Sequence, residues 1–423
     1  MLTLKQLRED PELAARKLAV KGVDATGTIQ KIIALDDTRK SVQTDLDANL
    51  AEQNSIAKTI GQLFKAGKAA EAEQSKTRTT ELKEVSKGLE EQKAVTEAEL
   101  NRLLVTLPNF PHESAPSGKT AEDNEVVRQG GATPELPANA QPHWELIKKY
   151  DIIDFDLGTK LTGAGFPVYK RQGAALQRAL IAYFLDKNTA AGYEEVMPPH
   201  MVNEASGFGT GQLPDKEGQM YHATEDNFYL IPTAEVPVTN IFRDVVLEEK
   251  DLPVKLTAYT PCFRREAGSY GKDVRGLNRL HQFDKVEIVQ LSHPDKSYEA
   301  LEGMVRHVES IVQELELPYR ILRLCGGDMS FTSALTFDFE VYSAAQERWL
   351  EVSSVSNFES FQANRLKARF KGDDKKTQLV HTLNGSSLAL PRIVAAILEN
   401  NQSPEGIRIP KALVPYTRFD TIR

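Results

Sequence analysis

The residues that most clearly indicate chemistry lie between Thr260 and Glu287. Two apolar runs there flank a loop with three glycines, which is the pattern of two antiparallel strands joined by a long flexible loop. Arg264 offers a planar, permanently charged guanidinium to a phosphate, and Glu266 follows on the same face of the first strand. The segment therefore predicts a polyphosphate-binding hairpin, although an exposed hairpin with surface charges would show a similar pattern.

The composition argues against several other classes of protein. No apolar run approaches the roughly 20 residues that cross a bilayer, and the first residues do not resemble a secretory signal, so we expect no membrane association. Only Cys262 and Cys325 occur, with neither metal spacing nor a disulfide framework, which favours a cytoplasmic location. The net charge of -8 argues against nucleic-acid binding over the whole surface and leaves room for a local basic patch.

A heptad pattern predicts a helical hairpin near the N-terminus. Mostly aliphatic residues alternate in steps of three and four from Ile32 to Leu63, and a weaker pattern, which includes Val85, runs from Leu82 to Leu103. A Lys-Ala-Gly-Lys break at 65–68 separates them, so we expect two antiparallel helices, each roughly 50 Å long. A short helix from Leu4 to Val20, with Pro11 near its middle, is expected to precede them.

Basic residues concentrate toward the tip of this predicted hairpin, namely Lys58, Lys65, Lys68, Lys76 and Arg78. Contacts between such residues and nucleic-acid phosphates would add affinity that does not depend on sequence. The charge pattern alone favours the simpler interpretation that these side chains solvate an exposed helix pair.

The remainder of the chain changes composition twice. A segment rich in proline and glycine follows Leu107, and short strands and half-buried helices begin near residue 141. The strands are not regularly separated by crossover helices, which favours a mainly antiparallel sheet in an α+β fold. The strands are expected at 228–230, 256–263, 283–289, 336–342 and 349–355. We therefore predict a helical domain at 1–107, a linker at 108–140 and a catalytic domain at 141–423.

Three segments in this order resemble the motifs of class II aminoacyl-tRNA synthetases, and specifically of the seryl-tRNA synthetase family. A helix–strand–proline unit ending at Pro199 resembles motif 1, the segment 263–287 resembles motif 2, and the segment 384–392 resembles motif 3. Segments 207–214, 233–235 and 351–357 are similar to segments characteristic of the seryl enzymes. The resemblance covers essentially the whole chain and implies the class II catalytic fold with an N-terminal coiled-coil arm that grips tRNA.

The resemblance implies an ATP site. Arg264 would bind the α-phosphate, Glu266 would accept a hydrogen bond from the adenine amino group, and Arg279 would reach the outer phosphates. Phe283 and Arg392 would lie against the two faces of the adenine ring. Arg264 and Arg392 are the implied catalytic residues. The implied ATP site is completed by Arg265, Glu351, Val352, Ser353 and Ser354.

The resemblance also implies sites for the amino acid and for a metal ion. The implied serine site comprises Thr233, Ala234, Glu235, Glu287 and Ser386. Glu235 is expected to face the ammonium group, and Glu287 with Ser386 to hold the side-chain hydroxyl. Glu351 and Ser354 would hold Mg²⁺, the implied cofactor, because a hard ion prefers oxygen ligands.

Together these residues imply a homodimeric enzyme that joins L-serine to tRNA(Ser), and to tRNA(Sec) where an organism has one. One alternative is a related ligase that loads an amino acid onto a carrier protein, which is expected to lack the long arm. The other is a catalytically silent paralogue that acts as a coiled-coil scaffold. The intact Arg264, Glu266, Glu351 and Arg392 argue against the second alternative.

Overall fold

The computed structural model describes residues 1–215, 217–267 and 275–423. In it the chain divides into two units. The N-terminal unit is Met1–Pro108 and the C-terminal unit is Asn109–Arg423. Part of the glycine-rich loop of the predicted hairpin, residues 268–274, lies outside the described residues. Within them, no helix combines the length and the apolar character that a membrane crossing requires.

The N-terminal unit begins with two short helices. They are α1 (Leu4–Glu9) and α2 (Pro11–Val20), so the expectation of one helix from Leu4 to Val20 was wrong. Proline has no backbone N–H and is favoured in the first turn of a helix, and Pro11 therefore starts a new one. The side chain of Asp10 caps α2 by accepting a hydrogen bond from the backbone N–H of Leu13 at 2.8 Å.

Two long helices form the predicted antiparallel hairpin, α3 (Thr26–Lys65) and α4 (Ala69–Leu104). Gly67 lies in the turn between them with a φ of +72°, a conformation that glycine adopts without strain. Along α3 the predicted positions are buried at Ile32, Val42 and Leu46. At 1.5 Å per residue the two helices extend roughly 60 and 54 Å.

The buried face of α4 differs from the prediction. Ser86 is buried, whereas the neighbouring Val85 is 51% exposed. The reason is a polar contact across the hairpin, where the Ser86 hydroxyl donates to Asn49 Oδ1 at 2.8 Å and Gln53 Nε2 donates to Ser86 Oγ at 2.7 Å. A polar layer of this kind within an apolar seam fixes the register of two helices.

The C-terminal unit contains the remaining regular elements. Its described helices are α5 (His143–Lys149), α6 (Phe155–Leu161), α7 (Arg171–Ala190), α8 (Glu204–Thr210), α9 (Glu235–Asn240), α10 (Ser297–Glu314), α11 (Ser360–Leu366), α12 (Leu390–Asn400) and α13 (Val414–Thr417). Its described strands are β1 (Glu125–Gly130), β2 (Ile153–Asp154), β3 (Val168–Tyr169), β4 (Glu194–Glu195), β5 (Met201–Asn203), β6 (His222–Ala223), β7 (Phe228–Leu230), β8 (Val246–Glu248), β9 (Val254–Phe263), β10 (Gln282–Ser292), β11 (Tyr319–Arg323), β12 (Leu335–Ser343), β13 (Arg348–Asn357), β14 (Arg369–Lys371), β15 (Thr377–Leu379), β16 (His381–Ala389), β17 (Gln402–Ser403), β18 (Gly406–Arg408) and β19 (Thr421–Ile422).

An eight-stranded sheet organises the described part of this unit. Its order is β1-β11-β12-β13-β16-β10-β9-β4, and its neighbours pair antiparallel except for β4 and β9. The predicted α+β fold with a mainly antiparallel sheet is confirmed. Alternate residues of β10 face opposite sides, so Val286 and Ile288 pack in the core while Phe283, Lys285 and Glu287 point the other way.

Three helices cover the core side of the sheet. They are α7, α10 and α12, and their apolar faces are buried with those of the strands. The four residues that predicted the apolar stripe of α7 all lie in this core, namely Leu176, Leu180, Tyr183 and Phe184. Because burial of each such side chain contributes roughly 1.5–3 kcal/mol, this face fixes the sheet and leaves the other face for polar groups.

The segment predicted as a linker, 108–140, belongs to the C-terminal unit after Pro108. Strand β1 lies within it and pairs with β11 at the edge of the large sheet. Asn109 is also anchored, since its side-chain amide donates to the carbonyl oxygens of Thr332 at 2.9 Å and Phe358 at 2.8 Å. Proline and glycine here indicate irregular backbone, but hydrogen bonds hold it in place.

Candidate active site

A cleft of about 530 Å³ opens on the polar side of the large sheet. Strands β10, β13 and β16 supply its floor, and the first turn of α12 supplies one wall. Thirteen of the predicted site residues line it, namely Thr233, Glu235, Arg264, Glu266, Arg279, Phe283, Glu287, Glu351, Val352, Ser353, Ser354, Ser386 and Arg392. The antiparallel pairing thus brings together residues that are up to about 160 positions apart in the chain.

Two predicted residues do not line the cleft. Ala234 is completely buried and packs with Val238 and Leu256 beneath the floor. Arg265 alternates away from its neighbours, and its backbone N–H donates to the carbonyl oxygen of Gln219 at 2.8 Å. Both adjoin residues of the implied site, but Ala234 precedes helix α9 with helical backbone angles and Arg265 follows the end of β9.

One end of the cleft is rich in guanidinium groups. The guanidinium carbon of Arg264 lies 5.2 Å from the centre of the Phe283 ring. Nη1 of Arg279 lies 2.9 Å from Oε2 of Glu266. Nη1 of Arg392 donates to the backbone carbonyl of Glu351 at 2.6 Å. Three cations next to an aromatic ring can bind several phosphates and a planar base.

The other end of the cleft contains a buried cation that sequence reasoning missed. Lys285 Nζ lies 2.5 Å from Oε2 of Glu287 and donates to the Thr233 hydroxyl at 2.8 Å. The side chains of Lys285 and Glu287 are only 8% and 3% exposed. Ser386 lies opposite Glu287 in the register of β10 and β16. The available signal was spacing, since Phe283, Lys285 and Glu287 alternate along one strand face.

Glu235 begins α9 and is buried beside this ion pair. Burial raises the pKa of its carboxyl to about 7, and the charge of Glu287 adds to that rise. Oε1 of Glu235 accepts a hydrogen bond from Nε2 of Gln362 at 2.6 Å. Gln362, also missed, is fixed in turn because its own carbonyl accepts from the Thr382 hydroxyl at 2.8 Å. This end of the cleft can therefore hold an ammonium group and a hydroxyl.

The residues implied to bind a metal ion lie between these two ends, on β13. Glu351 and Ser354 line the cleft, and Asp338 of β12 pairs opposite Ser354. Burial raises the pKa of the Asp338 carboxyl, with a further contribution from Glu351, and its Oδ1 has no hydrogen-bond partner among the described residues. Those residues contain no cluster of three or more metal-binding side chains. Such a donor set fits Mg²⁺, which takes one or two carboxylates and completes its shell with phosphate and water.

Four of the five basic residues of the arm lie on α3 and α4, in the halves next to the turn, and Lys68 lies in the turn as the N-cap of α4. Lys58 and Lys65 are exposed and form no ion pair with the described residues. The other three pair with nearby glutamates, as Lys68–Glu71 at 2.9 Å, Lys76–Glu73 at 3.0 Å and Arg78–Glu52 at 2.9 Å. Exposed pairs of this kind contribute little and can be exchanged for other anions.

The chain matches two known families. Residues 219–401 match the family described as tRNA synthetase class II core domain (G, H, P, S and T), and residues 1–111 match the seryl-tRNA synthetase N-terminal domain. A serine–tRNA ligase of Salinibacter ruber is 50% identical over 100% of this chain and 99% of its own length. A serine–tRNA ligase of Trichlorobacter lovleyi is 46% identical over 98% of both chains.

Solved structures show the same likeness. The seryl-tRNA synthetase of Pyrococcus horikoshii, in complex with ATP, superposes with a TM-score of 0.90 at 34% identity. The match covers 100% of this chain and 99% of the other. The cytoplasmic serine–tRNA ligase of Naegleria fowleri, in complex with AMP, superposes with a TM-score of 0.88 at 25% identity over the same shares.

Proposed function

Because this chain belongs to the seryl-tRNA synthetase family, we infer that it is a serine–tRNA ligase. It joins L-serine to ATP to form seryl-adenylate and pyrophosphate, and it then passes the seryl group to the terminal ribose of a tRNA. One observation carries the inference from the residues themselves. The buried Lys285–Glu287 pair lies beside Glu235 at one end of a cleft whose other end holds three arginines.

Catalysis of the first step rests on position and charge. The serine carboxylate is already ionised at neutral pH, so its attack on the α-phosphate needs no general base. Arg264 stabilises the charge that develops on the phosphate. Phe283 and Arg392 hold the adenine and Arg279 the outer phosphates, so both reactants are oriented before the reaction.

Selection of serine follows from the buried charges. Lys285 pairs with Glu287, and an ionised carboxylate offers only acceptor atoms to the side-chain hydroxyl of serine. Ser386 lies opposite Glu287, while the Glu235 carboxylate receives the ammonium group. Alanine would leave the buried Glu287 carboxylate without the hydrogen bond that the serine hydroxyl donates, and a site built to bind a hydroxyl rejects such an analogue strongly.

We propose that Glu351 and Ser354 hold Mg²⁺ beside the phosphates of ATP. When bound, the ion would neutralise part of the charge on the phosphate oxygens. Arg392 contributes to the same arrangement, because it donates to the backbone carbonyl of Glu351 at 2.6 Å and lies 3.7 Å from the carboxylate of that residue.

We propose that the enzyme is a cytoplasmic homodimer. Three of the large apolar side chains of the C-terminal unit that are exposed are Met197 at 89%, Ile241 at 50% and Val246 at 46%. Exposed apolar surface of this kind is typical of an interface between subunits. Both cysteines are free and buried, which suits a reducing compartment.

We propose that the arm formed by α3 and α4 binds tRNA(Ser), and tRNA(Sec) where the organism has one. The arm is long and therefore has a large surface. Each helix buries its apolar seam against the other helix, so the remaining surface is available to bind tRNA. The exposed Lys58 and Lys65 supply phosphate contacts near the turn.

The test is ATP–pyrophosphate exchange with each of the twenty amino acids, followed by acylation of bulk tRNA. Exchange should depend on serine, and [¹⁴C]serine should enter tRNA. Arg264→Leu should abolish exchange, whereas Arg306→Leu, which changes an arginine that is 62% exposed on α10, should not. Exchange with a different amino acid, or serylation of a carrier protein in place of tRNA, would contradict the assignment.

A further inference from the structure

The return segment of the motif 2 hairpin rests on two neighbouring residues of α5. Nε2 of His143 accepts a hydrogen bond from the backbone N–H of Leu277 at 2.8 Å. The guanidinium carbon of Arg275 lies 4.9 Å from the centre of the Trp144 ring. Between them, Gly276 has a φ of +64°, and a Cβ there would lie 2.2 Å from Nε2 of His143. Three consecutive residues of the hairpin therefore fit one small surface.

Hydrogen bonds at both ring nitrogens orient the histidine in this surface. His143 is completely buried, and its Nδ1 lies 2.6 Å from Oε1 of Glu399 in α12. Because Nε2 accepts a hydrogen bond from a backbone N–H, the imidazole proton is on Nδ1, and Nδ1 donates a hydrogen bond to Glu399. Glu399 also accepts hydrogen bonds from the hydroxyl of Ser343 and from Gln346 Nε2, the latter at 2.9 Å. These contacts fix the direction in which Nε2 points.

The residues that follow Leu277 belong to the ATP end of the cleft. The carbonyl oxygen of Asn278 accepts a hydrogen bond from Nε of Arg392 at 3.2 Å. The next residue, Arg279, makes the ion pair with Glu266 at 2.9 Å. Arg279 thus belongs to the stretch of backbone that begins at Leu277, and Arg392 is hydrogen-bonded to it. His143 accepts a hydrogen bond from the first N–H of this stretch.

We propose that His143 and Trp144 are positioning residues for ATP. They fix the backbone at 275–277, and through it they set the places of Arg279 and Arg392. Neither residue is among the described residues that line the cleft, so their effect on the nucleotide is indirect. The proposal rests on the proposed function, since it concerns the ATP site of the same enzyme.

Two substitutions of His143 separate this role from a general structural one. In His143→Asn the side-chain amide takes the place of Nδ1 and keeps the bond to Glu399, but no atom reaches Leu277. In His143→Gln the side-chain carbonyl takes the place of Nε2 and can accept from the Leu277 N–H. A net hydrogen bond is worth roughly 1 kcal/mol, so His143→Asn should raise the KM for ATP in serine-dependent exchange about three- to tenfold. The KM for serine should change less than twofold.

The comparison of the two variants decides the outcome. His143→Gln should keep the KM for ATP within about twofold of the parent, even if its melting temperature falls as far as that of His143→Asn. If the two variants raise the KM for ATP equally, or if His143→Gln raises it more, the positioning role is refuted. Absence of serine-dependent exchange in the parent protein would refute the proposed function itself, which separates the two failures.

Tryptophan emission gives a second measurement that does not need turnover. The chain has two tryptophans, and each has an arginine against its ring, with the Arg320 guanidinium carbon 4.7 Å from the centre of Trp349. Trp349→Phe leaves Trp144 as the reporter, and its emission should change on titration with ATP. The matched Trp144→Phe protein should show a much smaller change. Unchanged Trp144 emission in a protein that catalyses exchange would overturn the proposal.

Discussion

The free energy of unfolding of the parent protein should fall as pH rises, and Glu235→Gln should abolish the part of this fall that comes from Glu235. Burial and the charge of Glu287 raise the pKa of Glu235 from 4.5 to about 7. In the unfolded chain this carboxyl therefore ionises near pH 4.5, whereas in the folded protein it keeps its proton until about pH 7. Between these values the folded state holds one proton more, so the free energy of unfolding falls with rising pH and becomes level above the folded pKa.

The magnitude follows from the two pKa values. The interval from 4.5 to about 7, at 1.36 kcal/mol for each pH unit, corresponds to about 3 kcal/mol. Glutamine carries no charge at any of these pH values, and its carbonyl can still accept from Nε2 of Gln362. Near pH 5 the parent and Glu235→Gln should have similar stability. Between pH 5 and pH 8, the difference in free energy of unfolding between Glu235→Gln and the parent should shift by about 3 kcal/mol in favour of the variant.

The assay is urea unfolding of the ligand-free protein at pH 5, 6, 7 and 8, followed by tryptophan emission. Trp144 and Trp349 both lie in the C-terminal unit, so the signal reports the unit that contains Glu235. Glu347→Gln, which changes an exposed glutamate between β12 and β13, controls for removal of a charge. A stability difference between parent and Glu235→Gln that stays constant within about 1 kcal/mol across this range would refute the reasoning.

Two further predictions concern the serine pocket and the arm. Lys285→Met should raise the KM for serine at least tenfold and the KM for ATP less than threefold, because removing one partner of a buried ion pair costs about 3–5 kcal/mol. Both constants are measured by ATP–pyrophosphate exchange. Equal rises in the two constants would contradict the prediction. The double change of Lys58 and Lys65 to glutamate should lower kcat/KM for tRNA about tenfold at low salt and leave exchange unchanged. Lys31→Glu, at the other end of α3, should leave both activities unchanged. Equal losses of acylation in the double variant and in Lys31→Glu, or equal losses of acylation and exchange in the double variant, would show that the arm does not bind tRNA through its tip.

The resemblance to the family motifs implied that Phe283 and Glu287 belong to the site, and the apolar runs predicted the two strands of the hairpin. The heptad steps predicted α3 and its partner. Register along α4 was less predictable, since a valine at 85 suggests burial more strongly than the serine beside it. The hydrogen bonds of Ser86 with Asn49 and Gln53, 37 and 33 positions earlier, account for the burial of Ser86.

The residues that sequence reasoning missed depend on contacts between distant parts of the chain. A lysine is almost never buried without a partner, so Lys285 reads as a surface residue until Thr233 and Glu287 are placed around it. Gln362 was missed for the same reason, because its contact with Glu235 depends on the position of α11 in the fold. The sequence likewise does not explain the glycine at 276. Its close approach to α5 is seen only in the fold.

The buried charges of the serine pocket destabilise the free enzyme and select its substrate for the same reason. Glu235 is deprived of water and lies near a second carboxylate, so its ionised form is costly until a cation arrives. Lys285 neutralises Glu287, and no described residue forms an ion pair with Glu235. In the proposed function the ammonium group of serine would supply that charge, and its hydroxyl would donate a hydrogen bond to Glu287. An amino acid that lacks either group leaves a buried charge or acceptor unpaired, and the pocket discriminates by that penalty.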